Sequence, residues 1–191
     1  MMNDNLQSAD TAAPVETPHV SQSDAPSASL LQRIWLLLVV AVVSIVVDQI
    51  TKRLVEARIE LEGVEQIAAF LSPYLTLTHT KNPGAAFSIL QDGGAIFFVV
   101  GGIVSVLILY YGPRLPVKDW LSRVALGLQL GGAIGNLIDR FRIGVVTDFI
   151  HFQIPEINFD FPVFNVADSC IVVGVIILIV SSLFHRDTTR E

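Results

Sequence analysis

Two aspartates in apolar surroundings are the residues best suited to chemistry in this chain. Asp148 lies in VVTDFI and Asp168 lies in FNVADS, and a separation of 20 positions is enough to bring the carboxylates together. Two carboxylates in a partly dry site do not both ionise easily, so they share a proton. One can then act as general base on a water molecule while the other acts as general acid. The pattern indicates the acid–base hydrolysis that aspartic proteases perform.

A structural role for the same pair competes with this interpretation. Asp is a favoured N-cap residue, and Asp168 stands at the entrance of a long apolar segment. Ionisable residues at membrane depth, however, commonly serve function. From the residues alone, both catalysis and helix capping remain open for Asp148 and Asp168.

Two further acids are predicted to be structural. Asp48 and Lys52 are spaced i and i+4, which predicts a local ion pair with a supporting role in shaping the site. Asp139 is followed at once by Arg140, and Arg142 is close behind. A carboxylate paired with a cation has a lowered pKa and is a poor proton shuttle. We therefore expect Asp48 and Asp139 to be ion-paired acids that fix helix ends.

Amide side chains accompany these acids. Asn82 begins the sequence NPG, which predicts a turn that also aims the Asn82 amide, while Gly84 leaves room for a lipid or another helix. Asn136 stands near the exit of the third apolar segment and Asn165 at the entrance of the fourth. Gln129, in the middle of a predicted helix, is expected to make a helix–helix hydrogen bond. The 4 histidines lack partners at metal-ligand spacing, so no metal site is predicted.

The composition is that of an integral membrane protein. Of 191 residues, 52% are hydrophobic and only 16% are charged, whereas soluble domains carry about a quarter charged residues. The net charge of −6 argues against a nucleic acid partner. The single cysteine, Cys170, cannot form an internal disulfide.

Four apolar segments are long enough to cross a membrane when their polar ends are included, at about 32–52, 94–112, 119–140 and 166–185. They form one domain, 32–185, between a disordered N-terminal tail at 1–31 and a short C-terminal tail at 186–191. Two long links occupy about 53–93 and 141–165. Alternation of apolar and polar residues from Tyr74 to Thr80 predicts a strand, and hence a small sheet on one face of the membrane.

The order of four helices places both termini on one side of the membrane and the polar residues on the other. Lys and Arg number six on each side, so the positive-inside rule does not decide the orientation. Acids and amides from separate segments nevertheless collect at one membrane face.

Five ordered motifs resemble those of the bacterial lipoprotein signal peptidases, also called signal peptidase II. They are DQITK from Asp48, NPGAAFSIL from Asn82, GGAIGNLIDR from Gly131, VVTDFI from Val145 and FNVADS from Phe164. Each motif alone is weak, but five in order between four apolar segments are highly specific. The resemblance covers about 34–184, and the long N-terminal tail departs from the family core.

The resemblance implies an aspartic endopeptidase that removes signal peptides from prolipoproteins, cutting just before a cysteine that carries diacylglycerol. It implies that Asp148 and Asp168 are the catalytic pair and that no metal or organic cofactor is needed. The residues expected to hold the substrate, or the inhibitor globomycin, are Asn82, Asn136, Arg140 and Asn165.

The resemblance also implies a topology. It comprises four transmembrane helices with both termini cytoplasmic, a small sheet on the outer face, and a second extracytoplasmic loop or helix that closes over the substrate. The protein would lie in the bacterial inner membrane, in contact with lipid, with its active site at the extracytoplasmic face. Nothing in the sequence demands an oligomer, so a monomer is predicted.

Two other functions compete with this expectation. A small proton-coupled transporter or channel would need acids near the bilayer midplane, and the polar residues cluster at one face instead. A purely structural membrane subunit would leave the paired aspartates and the asparagines without a reason.

Overall fold

The protein is described by a computed structural model that places residues 29–84 and 93–187. Four helices form a bundle: α1 (Leu30–Arg58), α2 (Gly93–Tyr111), α3 (Trp120–Ile143) and α4 (Val166–Asp187). Each contains a segment long and apolar enough to span a membrane, which confirms the predicted four-helix architecture. Most of the tail predicted at 1–31, and residues 188–191 of the C-terminal tail, lie outside the described residues.

The two ends of α1 differ from the predicted bounds of 32–52. The helix begins at Leu30 because Ser29 caps it: the Ser29 hydroxyl accepts from the Gln32 backbone N–H, and the Gln32 side chain accepts in return. It continues to Arg58 because its last turns pack Val55 and Ile59 against the sheet. Charged residues at this end had indicated a loop.

A four-stranded antiparallel sheet lies at the end of the bundle where α1 finishes. Its order is β1 (Val64–Gln66), β2 (Leu75–Asn82), β3 (Val146–Ile154) and β4 (Phe159–Asp160). The predicted strand at Tyr74–Thr80 is confirmed as β2. The second long link was expected to form a separate loop or helix, but it supplies β3 and β4 around a short 3-10 turn. Its β-branched and aromatic residues pair with the free edge of β2.

Close approach of α3 to its neighbours depends on small residues. A Cβ atom on Gly131 would lie 2.5 Å from the Ser44 Cβ of α1 and 2.8 Å from the Ala41 carbonyl oxygen. A Cβ atom on Gly132 would lie 2.3 Å from the Ala167 carbonyl oxygen of α4. Glycines therefore let α3 sit against α1 and α4 at backbone contact, as expected for helix packing without a hydrophobic driving force.

We expect Gly131→Val to destabilise the bundle, because the added side chain collides with the backbone of α1. Overpacking of a tight contact costs about 1–3 kcal/mol, so the apparent Tm in detergent should fall by several degrees. Gly102→Val is the matched control, since a Cβ atom there meets nothing within 4 Å. Equal melting temperatures for the two variants would contradict the contact.

Candidate active site

The return of the chain from β3 to α4 brings Asp148 and Asp168 to one place. Phe164 closes the return: its carbonyl oxygen accepts from Ile150 N at 2.7 Å, and its N–H donates to Ile150 O at 3.0 Å. Asn165 follows directly and therefore lies beside Thr147 and Asp148. The link between the two aspartates therefore folds back on itself.

Asp148 is buried and held by two amides. Its Oδ1 accepts from Asn165 Nδ2 at 2.6 Å and its Oδ2 from Asn82 Nδ2 at 2.9 Å. Burial, and to a lesser extent the nearby Asp168 charge, raise the pKa of this carboxyl to about 6, against the lowering effect of the two amide hydrogen bonds. The Asp148 carboxyl therefore changes its charge close to neutral pH.

Asp168 occupies the third position of α4, and Asn165 is the N-cap. Asn165 Oδ1 accepts from Asp168 N at 2.9 Å, and Asp168 Oδ2 accepts from Asn165 N at 3.2 Å. The capping role considered for Asp168 thus belongs chiefly to Asn165. The remaining oxygen, Asp168 Oδ1, accepts from Asn136 Nδ2 at 2.8 Å and lies at a cavity.

Asn165 links the two aspartates and is itself completely buried. Its side chain caps Asp168, donates to Asp148, and lies 3.2 Å from Asn136 Oδ1. Its burial and its hydrogen bonds favour the shaping of the site over the contact with substrate that the resemblance implies.

Asn82 is aimed by the turn that follows it. Gly84 has φ +90° and donates its backbone N–H to Asn82 Oδ1 at 2.8 Å. With its oxygen held in this way, the Asn82 amide nitrogen points at Asp148. The turn predicted from the sequence NPG therefore aims the Asn82 amide at Asp148. Residues 85–92, which follow the turn, are not described.

A buried lysine lies at the centre of the charged residues behind the pair. Lys52 is fully buried, and its ammonium group contacts Asp48 Oδ2 at 3.0 Å, Asp139 Oδ2 at 3.0 Å and Asn136 Oδ1 at 2.9 Å. These three acceptors match its three protons. The predicted ion pairs of Asp48 and Asp139 are present, and both acids use the same cation.

Each of these two acids also holds the backbone next to one member of the pair. Asp48 Oδ1 accepts from the N–H of Ala167, just before Asp168, at 3.0 Å. Asp139 Oδ2 accepts from the N–H of Thr147, just before Asp148, at 3.1 Å. The Lys52 cluster, which is Lys52 with Asp48 and Asp139, therefore fixes the backbone beside both Asp148 and Asp168.

Sequence analysis missed the second support of β3. Arg142 donates to Glu56 at 2.8 Å, and Glu56 Oε1 accepts from the Thr147 hydroxyl at 2.9 Å. Arg142 also lies 3.6 Å from Asp139. Glu56 and Arg142 each lie just beyond an apolar segment, and their opposite charges were the available signal. Because the two residues are 86 positions apart, no local pattern pairs them.

A cavity of about 440 Å³ opens beside Asp168 between α2, α3 and α4. Asn82, Gly84, Asn136 and Arg140 line it near the pair, and the rest of the lining is apolar except for Gln129. Arg140 lies above the Phe97 ring at 5.4 Å and interacts electrostatically with Asp168, Asp148 and Asp139. The two aspartates and the positively charged Arg140 thus lie together beside a largely apolar cavity.

Comparison with known proteins decides the family. The profile of the family described as Signal peptidase (SPase) II matches residues 40–184. The chain belongs to the signal peptidase II family. It is accordingly a protease and a multi-pass bacterial membrane protein, and the transporter alternative finds no support.

Curated relatives and solved structures agree with this membership. The chain is 45% identical over 139 residues to a lipoprotein signal peptidase of Symbiobacterium thermophilum, covering 72% of this chain and 88% of that protein. It is 42% identical over 155 residues to a lipoprotein signal peptidase of Acinetobacter baumannii, covering 79% and 84%. A bacterial membrane enzyme solved by the in meso method at 2.3 Å resolution superposes with TM-score 0.72 at 31% identity, covering 83% of this chain and 93% of the other.

Proposed function

We propose that this protein removes signal peptides from diacylglyceryl-modified prolipoproteins, using Asp148 and Asp168 as its catalytic pair. The observation that carries the proposal is that one buried asparagine bonds both carboxylates beside a cavity. Asn165 donates its side-chain amide to the Asp148 carboxylate and its backbone N–H to the Asp168 carboxylate. The substrate is itself an apolar helix that ends at a lipidated cysteine. A site at the edge of the bilayer meets the bond to be cut where that bond naturally lies.

The proposed reaction is a single hydrolysis by an activated water molecule. The ionised carboxylate of the pair takes a proton from the water molecule. As it does so, the water oxygen attacks the carbonyl carbon that precedes the lipidated cysteine. The protonated partner then gives its proton to the departing cysteine nitrogen, and the signal peptide leaves with a new carboxylate. The raised pKa of Asp148, about 6, supports a state in which the pair holds one proton.

Arg140 is our candidate for stabilising the negative charge that develops on the carbonyl oxygen. It lines the cavity and carries a fixed positive charge beside Asp168. The amide groups of Asn82 and Asn136 already donate to Asp148 and Asp168, which favours a positioning role for them.

Two apolar clefts next to Asp168 support a substrate with two apolar parts. The 440 Å³ cavity is one, and a cleft of about 460 Å³ between the 161–164 segment and α4 is the other. A signal peptide and a diacylglyceryl group would each need such a surface. Globomycin-type inhibitors would compete for the same place, and surrounding membrane lipid would be displaced on binding.

We propose the family topology for this chain, with both termini cytoplasmic and the sheet and active site at the extracytoplasmic face of the inner membrane. All residues proposed for the site come from one chain, which supports a monomer as the active form. To test the orientation, Cys170 is replaced by Ser and a single cysteine is placed either in the loop 113–117 or in β1. Each cysteine is then labelled in inverted and in right-side-out vesicles.

The function is tested with purified protein reconstituted in lipid. A diacylglyceryl-modified prolipoprotein should release its signal peptide, and the same precursor without the lipid should not. Treatment with EDTA should leave the rate unchanged, because the proposed chemistry needs no metal. Cleavage at a position other than the bond before the lipidated cysteine would contradict the proposal.

The pH dependence of kcat/KM should report the Asp148 carboxyl. One limb of the profile is expected at about pH 6, where the raised pKa of Asp148 lies. The Asn82 hydrogen bond stabilises the ionised form, so Asn82→Ala should raise this pKa and move the limb to higher pH. A limb that stays in place in Asn82→Ala, with the fold intact, would refute this link.

A further inference from the structure

Gln129 is a polar residue in the cavity that the proposed mechanism does not use. It lies in α3, seven residues before Asn136, which places it about 10 Å further into the bundle. Its spacing of 4 from Ala133, 7 from Asn136 and 11 from Arg140 puts all four on one helix face, and all line the 440 Å³ cavity.

The Gln129 amide nitrogen is buried and makes no hydrogen bond to any residue in 29–84 or 93–187. The helix–helix hydrogen bond expected from the sequence is therefore absent from the described part of the chain. An unpaired amide donor in apolar surroundings is costly, and the membrane interior offers no bulk water to satisfy it. Such a donor, at a cavity wall, is suited to an acceptor brought by a ligand.

α4 makes room for this side chain without bonding to it. A Cβ atom on Gly174 would lie 2.8 Å from Gln129 Cγ and 2.7 Å from the Ala125 carbonyl oxygen. Any larger residue at 174 would displace the Gln129 stem. The α3–α4 contact thus accommodates the cavity-lining residue Gln129 sterically and leaves its amide nitrogen unpaired.

We propose that Gln129 is a substrate-binding residue whose amide donates a hydrogen bond to a carbonyl oxygen of the bound prolipoprotein. This inference rests on the proposed function. Two parts of that substrate carry carbonyl oxygens that reach this depth: the esters of the diacylglyceryl group and the main chain of the signal peptide. An extended signal peptide covers about 10 Å in three residues.

Gln129→Leu and Gln129→Met remove the amide at similar side-chain volume. For both variants, KM for the lipidated prolipoprotein should rise about five- to tenfold with kcat unchanged, because the bond holds ground and transition states equally. The substrate-free Tm should not fall, since no protein hydrogen bond is lost. Gln66→Leu, on the exposed strand β1, is the control and should keep the wild-type KM.

A substrate with ether-linked acyl chains distinguishes the two sources of the carbonyl. If the lipid provides the acceptor, the ether substrate raises KM for the wild type and Gln129→Leu adds nothing. If the signal peptide provides it, Gln129→Leu raises KM for ester and ether substrates alike. Either pattern supports the proposal.

The proposal is overturned if both Gln129 variants keep the wild-type KM for both substrates. It is also overturned if both lose several degrees of Tm, since that would show a role in packing. A wild-type protein that fails to cleave any lipidated prolipoprotein would overturn the proposed function itself, which keeps the two failures apart.

Discussion

Asp148→Asn and Asp168→Asn are each expected to lower the rate of signal peptide release by about a thousandfold or more. An amide can neither take a proton from water nor share one with its partner, so either change leaves the pair without its base or without its acid. The expected loss lies in kcat, since the cavity that holds the substrate is unchanged. Initial rates of release from a lipidated prolipoprotein in lipid or detergent provide the measurement.

Asp119→Asn is the matched control for this pair of variants. Asp119 is the N-cap of α3, and Asn serves as an N-cap equally well. It stands at the opposite end of α3 from Asn136 and Arg140. Near-normal turnover by Asp148→Asn or Asp168→Asn, alongside a normal control, would refute the catalytic assignment.

Lys52→Met should have the largest effect on folding stability of any single substitution considered. It leaves Asp48 and Asp139, both completely buried, without their shared cation. Breaking a buried ion pair from one side costs about 3–5 kcal/mol, because a charge stays buried and unpaired. We expect a much lower Tm in detergent and loss of cleavage, since these acids hold the backbone beside both catalytic aspartates.

A compensating variant separates the charge effect from the loss of packing. Lys52→Met combined with Asp48→Asn and Asp139→Asn removes all three charges, while the amide oxygens can still accept from Ala167 and Thr147. Most of the lost Tm should return. Lys118→Met, at an exposed position, is the control and should melt like the wild type. An unchanged Tm in Lys52→Met would contradict the structural role of the cluster.

The helices and most of the site residues could be predicted from the sequence because their signals are local. Long apolar runs require helices in a membrane, and alternation at 74–80 was enough to predict β2. The ion pair of Asp48 and Lys52 follows from i, i+4 spacing on one helix. The same holds for the Asn82 turn, where a glycine with positive φ completes a short motif.

The remaining features depend on contacts that no local pattern contains. The sequence predicts a loop at β3, because the pairing partner of this strand, β2, lies some 70 residues earlier in the chain. The bonds from Asp48 to Ala167 and from Asp139 to Thr147 use backbone N–H groups, which most residue types provide. The complete burial of Asn165 depends on contacts that its position at a helix start does not indicate.

Infrared difference spectroscopy across pH tests directly whether Asp148 and Asp168 share a proton, on which the proposed mechanism depends. The C=O stretch of a protonated carboxyl should be present near pH 6 in the wild type and vanish as the pH rises. It should be missing from Asp148→Asn, because burial is the main reason that the pKa of Asp148 is raised to about 6. In Asp168→Asn the band should persist and titrate at lower pH, because the Asp168 charge also raises the pKa of Asp148. A wild-type spectrum without the band near pH 6, or Asp148→Asn with the full band, would contradict the shared proton.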